Sequence, residues 1–311
     1  MPVTRTIKRL VTCDLVGLAA ADPTRLVDYA ENAYQARLTR VMGAIRASGC
    51  GIVMLTGPSG AGKTTSARKL AGALMRGGVR SQVLSLDDFF VGEGRYPKTP
   101  DGRDDYERLE SLDLPLLCAC LKSLAETGVC DAPIFDFLTQ RPSPKTQHID
   151  CHGGVVIVEG LHAFNPALGA VLPEGTALHV YASLQEEYAD ADGHRVVATR
   201  DIRLARRLVR DARFRGHGAD FTLRVWPHVC QAEERYIKAF KQRSDLLLDT
   251  SFSYEGCLWG QFVREMTAEE YPEKLGALCG SLAGFPTLAP SLVPQNSMLR
   301  EFLGQDDEIN S

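Results

Sequence analysis

A glycine-rich stretch at residues 57–65 restricts the possible folds of this chain more than any other feature. It fits the pattern of a phosphate-binding loop, in which Gly and four further residues precede Gly, Lys and then Ser or Thr. Residues 52–55 form an apolar run typical of a buried parallel strand, and residues 65–75 have the apolar spacing of a helix. In this order, backbone amides and a helix N-terminus can face a phosphate group.

We therefore predict that residues 57–65 bind the phosphates of ATP. Lys63 is expected to reach the β- and γ-phosphates, and the Thr64 hydroxyl is expected to bind Mg²⁺. The predicted ATP-binding residues of the loop are Gly57, Pro58, Ser59, Gly60, Ala61, Gly62, Lys63, Thr64 and Thr65.

Carboxylates follow two further predicted strands. Residues 81–86 lead into Asp87 and Asp88, and the most continuous aliphatic run, residues 155–158, ends in Glu159. Open α/β sheets bind ligands along the carboxyl edge of their strands, so these acids are well placed for a site. A strand that ends in an acid after a phosphate loop also predicts a second metal-site element, which makes Glu159 a candidate metal ligand together with Thr64.

Residues 199–215 are strongly basic. One interpretation is a solvated helix face, and the other is a mobile helical lid that carries arginines over the phosphates. We favour the lid, because phosphoryl transfer needs cationic charge at the γ-phosphate in the transition state. The seven arginines are Arg200, Arg203, Arg206, Arg207, Arg210, Arg213 and Arg215.

The alternation of strands and helices predicts an α/β fold, with a mostly parallel sheet flanked by helices. We expect three segments: an N-terminal segment and helix (1–49) packed on the core, a P-loop kinase domain (50–265) and a helical tail (266–311). Further strands are predicted at 131–137, 177–182 and 246–248, helices at 26–47, 112–126, 221–240 (interrupted at Pro227), 268–282 and 298–303, loops at 91–105 and 138–146, and a strand or hairpin at 7–18.

Composition limits the partners and the compartment. The net charge of −4 gives no reason to expect a nucleic-acid partner, and no apolar run reaches the ~20 residues of a membrane span. The nine cysteines are scattered, which is typical of reduced thiols in a cytoplasmic protein. A small-molecule substrate is the expected partner, and the tail can pack on the core or in a homo-oligomer.

These segments together resemble the uridine kinase and phosphoribulokinase family of P-loop kinases, most closely the bacterial uridine kinase-like nucleoside kinases. The resemblance implies transfer of the γ-phosphate of ATP, with Mg²⁺, to a hydroxyl of a small molecule, most directly the 5′-hydroxyl of a nucleoside. The motifs that carry it are the phosphate loop and residues 85–90, 105–107, 133–137, 156–166, 206–211, 215–216, 222–226 and, in the tail, 293–302.

The same resemblance implies roles for individual residues. Asp87 matches the carboxylate that accepts the proton of the substrate hydroxyl, and Asp88 is the alternative if the strand ends one residue later. Arg206 and Arg210 match catalytic lid arginines that act with Lys63, and Arg207 matches a lid arginine near ATP. The implied substrate-binding residues are Asp87, Phe90, Glu107, Phe135, Asp136 and Gln140.

The chain departs from the family pattern at two positions, which leaves the acceptor open. Uridine and cytidine kinases have Tyr where Phe135 stands and His where Gln140 stands, so a purine nucleoside or a non-nucleoside alcohol is an alternative acceptor. Only about fifty residues precede the loop, so we expect the extra N-terminal domain of related kinases to be missing or reduced.

Two further functions remain alternatives. A sugar phosphate acceptor would need additional basic residues, and Arg95, Lys98, Arg103 and Arg141 can serve, although solvated loop charges explain them more simply. A nucleotide-hydrolysing regulator is the other alternative, against which Asp87 and the basic lid argue.

Overall fold

Strands and helices alternate along the computed structural model, which describes residues 8–99 and 102–305. The predicted segments extend to residues 1–7, 100–101 and 306–311, which lie outside the described residues. The strands are β1 (Arg9–Thr12), β2 (Ile52–Thr56), β3 (Ser81–Ser85), β4 (Val129–Asp136), β5 (Arg141–Asp150), β6 (Val155–Glu159), β7 (Ala177–Ser183), β8 (Glu186–Ala189), β9 (Arg195–Val197) and β10 (Leu246–Asp249). The α-helices are α1 (Cys13–Ala19), α2 (Pro23–Ser48), α3 (Lys63–Arg76), α4 (Leu114–Thr127), α5 (Pro166–Gly169), α6 (Thr199–Phe214), α7 (Ala219–Ala232), α8 (Glu255–Glu265), α9 (Pro272–Leu282) and α10 (Arg300–Leu303).

A five-stranded parallel sheet with the order β10-β7-β2-β6-β3 forms the centre of the fold. Side chains alternate between the two faces of a strand. Accordingly, Val53 and Leu55 of β2 pack into one apolar cluster. Ile52 and Met54 pack into a second cluster on the opposite face. Helices cover both faces, so the fold is the predicted α/β fold with a mostly parallel sheet flanked by helices.

The two apolar clusters draw on different parts of the chain. The second combines one face of the sheet with α4 and the β4-β5 hairpin. The first combines the other face with α2, α3, α6, α7, α8, α9 and α10. Val27, Leu70 and Phe302 represent the predicted segments 1–49, 50–265 and 266–311 in that single cluster.

The phosphate loop connects β2 to α3, as predicted. Gly62, the residue before α3, has φ of 73°, a left-handed conformation that glycine adopts without steric cost. A Cβ atom at Gly62 would overlap the sulfur of Met298, and one at Gly57 would overlap the carbonyl of Ala182. Both glycines are therefore required by close neighbours from distant parts of the chain.

The predicted loop at 138–146 is wrong for most of its length, because β5 begins at Arg141 and pairs with β4 in an antiparallel hairpin. The prolines at positions 142 and 144 are typical of loops, and they favoured that prediction. They are tolerated because a two-stranded hairpin leaves one side of each strand without a hydrogen-bonded neighbour.

The predicted strand or hairpin at 7–18 is replaced by β1 followed directly by α1. β1 pairs in parallel with β8, so its partner lies far along the chain. Strands β8 and β9 were not predicted. They complete a separate sheet with the order β1-β8-β9.

The remaining predicted helices are present with shifted ends. α7 continues through Pro227, where we expect an interruption, and a π-helical turn at Glu233–Ile237 follows it. The last helix begins at Arg300 instead of residue 298, after Ser297 Oγ accepts a hydrogen bond from the Leu299 amide at 3.1 Å. No helix within the described ranges has the length and apolar character needed to cross a membrane.

Candidate active site

Polar groups from β6, β3 and the start of α3 meet at Glu159. The strand register places Leu55 of β2 and Ser85 of β3 opposite Glu159 at the end of β6. The Thr64 hydroxyl donates to Glu159 Oε1 at 3.1 Å, and the Ser85 hydroxyl donates to the same atom at 2.9 Å. The predicted pair Thr64 and Glu159 is therefore in direct contact at the start of α3.

The chemistry of this group fits Mg²⁺. Its donors are hydroxyl and carboxylate oxygens, the ligand class that Mg²⁺ prefers. Glu159 is 2% exposed, and burial, followed by the charge of Asp87, raises its pKa to about 7, while Lys63 acts in the opposite direction. Because a nearby cation would favour the ionised carboxylate, Thr64 and Glu159 are suited to hold the ion.

Asp87 and Asp88 lie in a short 3₁₀ turn, Leu86–Phe89, that follows β3. Asp88 turns toward the hairpin, where its Oδ1 accepts a hydrogen bond from the Phe135 amide at 3.1 Å. Asp87 turns into the cleft beside Lys63. Solvent reaches its side chain from the open side of the cleft, although protein atoms enclose the carboxylate elsewhere.

The electrostatics of Asp87 show which charges face it. Burial raises its pKa, and the positive charges of Lys63, Arg215 and Arg210 act to lower it. The predicted catalytic residues Asp87, Lys63 and Arg210 are thus brought together, and Arg215 joins them. Lys63 Nζ also donates to the carbonyl of Pro58 in the loop at 3.4 Å.

Glu107 lies close enough to Arg207, Asp87 and Lys63 for their charges to act on its carboxylate. Burial raises its pKa, the charges of Arg207 and Lys63 lower it, and the charge of Asp87 raises it further. Its carbonyl contacts His162 Nε2 at 3.0 Å, which fixes this segment against the residues that follow β6.

An aromatic cluster extends from Phe90 and Phe135, two of the predicted substrate-binding residues. Their ring centroids are 5.6 Å apart, and Phe137 lies 5.1 Å from Phe135. On the other side, Tyr96 lies 5.9 Å from Phe90 and 4.7 Å from Tyr106. These five rings, which are linked to Asp88 through the Phe135 amide, are hereafter called the aromatic cluster.

Asp136 and Gln140 shape the turn between β4 and β5. Asp136 Oδ1 accepts hydrogen bonds from the amides of Leu138 and Thr139, at 2.9 and 3.3 Å. The Thr139 side chain, followed by these two amides, lowers the pKa of Asp136. Gln140 has φ of 55°, and its side-chain amide donates to the Phe137 carbonyl. Substrate contacts for these two residues stay predictions, and the structure gives each a role in the turn.

The buried carboxylate of Asp211 forms ion pairs with three arginines near the phosphate loop. Arg207, Arg210 and Arg215 each lie within 3.6 Å of an Asp211 oxygen. Burial opposes ionisation of Asp211, but these three cations hold its pKa below the usual range. Arg207 also donates to Ser59 Oγ at 2.9 Å, so a predicted ATP-binding arginine contacts the predicted ATP-binding loop.

The position of Arg206 does not fit the catalytic role that we expect for it. Its side chain is fully buried and pairs with Glu255 at 2.6 Å. It also donates to the carbonyls of Gly60 and Thr250, both at 2.8 Å. The guanidinium therefore supports the loop from inside the protein, because its donors are already used. The helix is accordingly packed in the core along this side, so a solvated basic face describes only part of it.

Sequence reasoning missed three contributors to the site. Ser85 stands in a motif that carried the resemblance, so its position was a usable signal. Asp211 likewise stands beside the predicted lid arginines. Glu255 had no signal, because it reaches Arg206 from 49 residues along the chain.

The sequence of this chain matches a known protein family. The model of the "Phosphoribulokinase / Uridine kinase family" matches residues 52–252, which is well over half of the chain. The chain belongs to this family. The match begins at β2 and ends just after β10, so it spans the central sheet and every strand end that contributes to the candidate site.

Curated members of the phosphoribulokinase/uridine kinase family are distant relatives of this chain. The uridine kinase of Lactobacillus helveticus (strain DPC 4571) is 26% identical over 199 residues, which cover 63% of this chain and 85% of that protein. The uridine kinase of Chlamydia pneumoniae is 25% identical over 204 residues, which cover 65% and 82%, respectively.

Solved structures similar to this one include other kinases. A possible uridine kinase from Bacillus stearothermophilus has a TM-score of 0.48 and 16% identity, and the match covers 69% of this chain and 98% of that one. Phosphoribulokinase from Rhodobacter spheroides has a TM-score of 0.45 and 16% identity, with coverage of 67% and 74%.

Family membership makes the chain a P-loop kinase, a phosphotransferase of the uridine kinase-like type. It also implies ATP as the phosphate donor, typically with Mg²⁺. The acceptor is a separate question, which depends on the cleft around Asp87.

Proposed function

We propose that this protein transfers the γ-phosphate of ATP to a hydroxyl group of a nucleoside. The observation that carries the proposal is the meeting of Lys63, Asp87 and Glu159 at the carboxyl ends of β2, β3 and β6. That edge is where open α/β sheets bind their ligands. A phosphate-binding lysine, a carboxylate suited to hold a metal ion and a carboxylate suited to act as the base therefore share one cleft.

Each group has a defined part in the reaction. The amides of residues 57–65 and Lys63 bind the phosphates, and Asp87 orients the acceptor hydroxyl and accepts its proton. Arg210 and Arg215, which face Asp87, neutralise charge that builds up on the transferred group. Arg206 positions the loop through Gly60 and does not contact phosphate.

Magnesium, when bound, would supply charge neutralisation at the phosphates, with Thr64 and Glu159 as its protein ligands. The role of Ser85 follows from its contact with Glu159. By donating to Oε1, its hydroxyl fixes the rotamer of that carboxylate toward Thr64.

The aromatic cluster favours a nucleoside as the acceptor. A planar base stacks on aromatic rings, and the half-exposed rings of Tyr106 and Phe137 in the aromatic cluster offer such faces. Glu107, near Asp87, is suited to accept hydrogen bonds from ribose hydroxyls. Phe135 offers no hydroxyl to the base, so we expect the base specificity to differ from that of enzymes with Tyr at this position.

A sugar phosphate acceptor is less well supported. Of the four loop cations that could bind its phosphate, Lys98 pairs with Asp104 at 2.5 Å and Arg141 lies 3.7 Å from Glu93. These two charges are balanced locally, which agrees with the simpler interpretation of loop charges given above.

The test is ATP turnover in a coupled assay with Mg²⁺, measured without acceptor and with a panel of uridine, cytidine, adenosine, guanosine, inosine and simple sugars. We expect turnover that requires a nucleoside. Turnover with sugars alone would show that the acceptor is a sugar and not a nucleoside. Turnover that is independent of every acceptor would favour the nucleotide-hydrolysing regulator.

The matched control is Lys63→Ala, which removes the charge that binds the phosphates. We expect this variant to lose activity with every acceptor in the panel. A fully active Lys63→Ala variant would show that residues 57–65 are not the phosphate site.

A further inference from the structure

The first turn of α3 carries backbone amides that are suited to bind an anion. The helix begins at Lys63, and the Ser66 amide donates to the Gly62 carbonyl at 3.0 Å, which is the first bond of the helical pattern. The amides of residues 63–65 come before this bond, so the helix offers them no carbonyl of its own. At a helix N-terminus, such amides and the helix dipole favour a negative charge.

A carboxylate of the same chain uses one of these amides. The Thr65 amide donates to Glu301 Oε2 at 3.4 Å. Within residues 8–99 and 102–305, no lysine or arginine forms an ion pair with Glu301, so its negative charge faces the loop without a local counter-charge. A phosphate group that reaches the Thr65 amide therefore has to displace this carboxylate.

The backbone that carries Glu301 is firmly packed. Glu301 lies in α10, and Met298 and Phe302, on either side of it in the sequence, are fully buried in the first apolar cluster. Met298 also packs against Gly62 of the phosphate loop. The packing holds the carboxylate beside the loop, whereas the half-buried side chain can leave by rotation about its own bonds.

We propose that the Glu301 carboxylate competes with the phosphates of the donor nucleotide for the Thr65 amide, and that it thereby lowers the affinity of the phosphate loop for nucleotides. This inference rests on the proposed function, because it takes residues 57–65 as the phosphate site. Two negative groups at one donor repel each other, so the carboxylate turns away when a phosphate binds.

The competition acts on the substrate and the product alike. ATP and ADP both bring phosphates to the loop amides, because a phosphate-binding loop holds the α- and β-phosphates that the two nucleotides share. Weaker binding of ADP favours its release, a step that limits turnover in many enzymes.

The test is isothermal titration calorimetry with Mg²⁺, using ATP, ADP and inorganic tripolyphosphate. Glu301→Gln keeps the length of the side chain and removes its charge. We expect all three ligands to bind about three- to tenfold more tightly to this variant than to the wild type, the effect of removing one anion from a helix N-terminus. Glu301→Ala removes the whole competitor and should shift the affinities in the same direction, which keeps the test valid if one variant fails to fold.

Glu273→Gln is the matched control, because Glu273 is exposed in α9 and makes no ion pair within the described ranges. It removes the same charge from a different helix and should leave all three affinities within about twofold of the wild type. Equal tightening in Glu273→Gln would overturn the proposal, because the overall charge of the protein would then set the affinity.

Two further results would overturn the proposal and leave the kinase assignment intact. One is unchanged affinity for all three ligands in both Glu301 variants. The other is weaker binding of ATP and ADP with unchanged binding of tripolyphosphate, because the carboxylate would then contact the nucleoside part and not compete with phosphate. A wild-type protein that binds none of the three ligands would instead contradict the proposed function.

Discussion

Asp87 and Asp88 are adjacent carboxylates with different surroundings. Asp88 accepts the Phe135 amide and joins the turn after β3 to the hairpin. Asp87 faces Lys63, Arg210 and Arg215. The sequence left the choice of base open between them, because a shift of one residue in the strand end exchanges their directions. Strand β3 ends at Ser85, one residue earlier than predicted, and the 3₁₀ turn that follows it places Asp87 in the cleft.

We predict that Asp87→Asn lowers kcat by at least roughly tenfold, the low side of what a general base supplies. The amide cannot accept the proton of the acceptor hydroxyl, whereas the phosphate loop is unchanged. Steady-state kinetics with the best acceptor, together with calorimetric ATP binding, measure the two effects separately.

Asp88→Asn serves as the comparison for this prediction. Its amide oxygen can still accept the Phe135 hydrogen bond, so we expect kcat to stay within a few-fold of the wild type. Near-normal turnover in Asp87→Asn, combined with a large loss in Asp88→Asn, would assign the base to Asp88.

At the scale of elements, α6 has several kinds of surface. Arg206 is buried against the phosphate loop and against Glu255. Arg207 and Arg210 border the cleft. Arg200 points to solvent and pairs with Glu234. A helix turns through about 100° per residue, so arginines at different positions of one helix meet different surroundings. The basic run is therefore buried on one side and solvated on another, and a mobile lid stays a prediction.

We predict that Arg210→Ala lowers kcat by at least about 100-fold, the magnitude of losing one preorganised charge at the transferred group. Arg200→Ala removes the same charge from the solvent side of the same helix and should change kcat by less than about twofold. Steady-state kinetics under identical ionic strength measure both. Equal effects in the two variants would indicate that only the overall charge of α6 matters.

The second prediction at this scale concerns the joint between α6 and α8, where Arg206 of α6 pairs with Glu255 of α8. Glu255 accepts bonds from Arg206, from Trp259 Nε1 at 2.8 Å and from the Phe252 amide at 3.1 Å. We predict that Glu255→Gln lowers the free energy of unfolding by about 3 kcal/mol or more, because it leaves a buried guanidinium without its counter-charge. Urea unfolding at constant pH measures the change.

An exposed pair provides the control for this joint. Glu126 lies 3.8 Å from Lys122 on the surface of α4, and both side chains are mostly in solvent. Glu126→Gln should change the free energy of unfolding by no more than about 0.5 kcal/mol. A similarly small effect in Glu255→Gln would mean that the buried pair does not hold α6 in place.

At the scale of the whole molecule, the central sheet brings together residues from every part of the chain. The parallel strands place Thr64, Asp87 and Glu159 at the carboxyl ends of the sheet. The first apolar cluster joins α2, α6 and residues 293–303 around the phosphate loop. The arrangement buries His162, whose charged form is disfavoured in the folded chain. Homo-oligomer formation stays a prediction.

His162 makes the stability of the whole fold dependent on pH. It is 3% exposed, and burial lowers its pKa from 6.5 to about 4, against the effect of its bond to the Glu107 carbonyl. The folded state therefore prefers the neutral imidazole. Its contribution to stability is complete above the unfolded pKa and is lost as the pH falls from 6.5 toward 4, because the unfolded chain then binds the extra proton.

We predict that His162→Gln loses less stability on acidification than the wild type does. Between about pH 7.5 and about pH 5, the difference should be on the order of 2 kcal/mol. Urea unfolding at both pH values measures it, and His148→Gln is the control, because that imidazole is exposed. The same acid sensitivity in all three proteins would exclude His162 as the cause.

The sequence by itself determined the phosphate loop, the strands that precede Asp87 and Glu159, and the α/β order of elements. These features are local: a loop pattern, apolar runs and acids at strand ends lie within a few residues of one another, so their physical requirements are visible in a short stretch. Register adds little uncertainty there, because buried parallel strands are apolar on both faces.

Only the tertiary structure decided which side chains meet. The pairing of Arg206 with Glu255, the packing of Met298 on Gly62 and the strand β5 all depend on partners that are distant or lie across a hairpin. A basic helix, a tail or a proline-containing stretch has the same local propensity whether a partner covers it or not. Its position follows from packing of the whole chain, which balances buried charge and apolar surface over long separations.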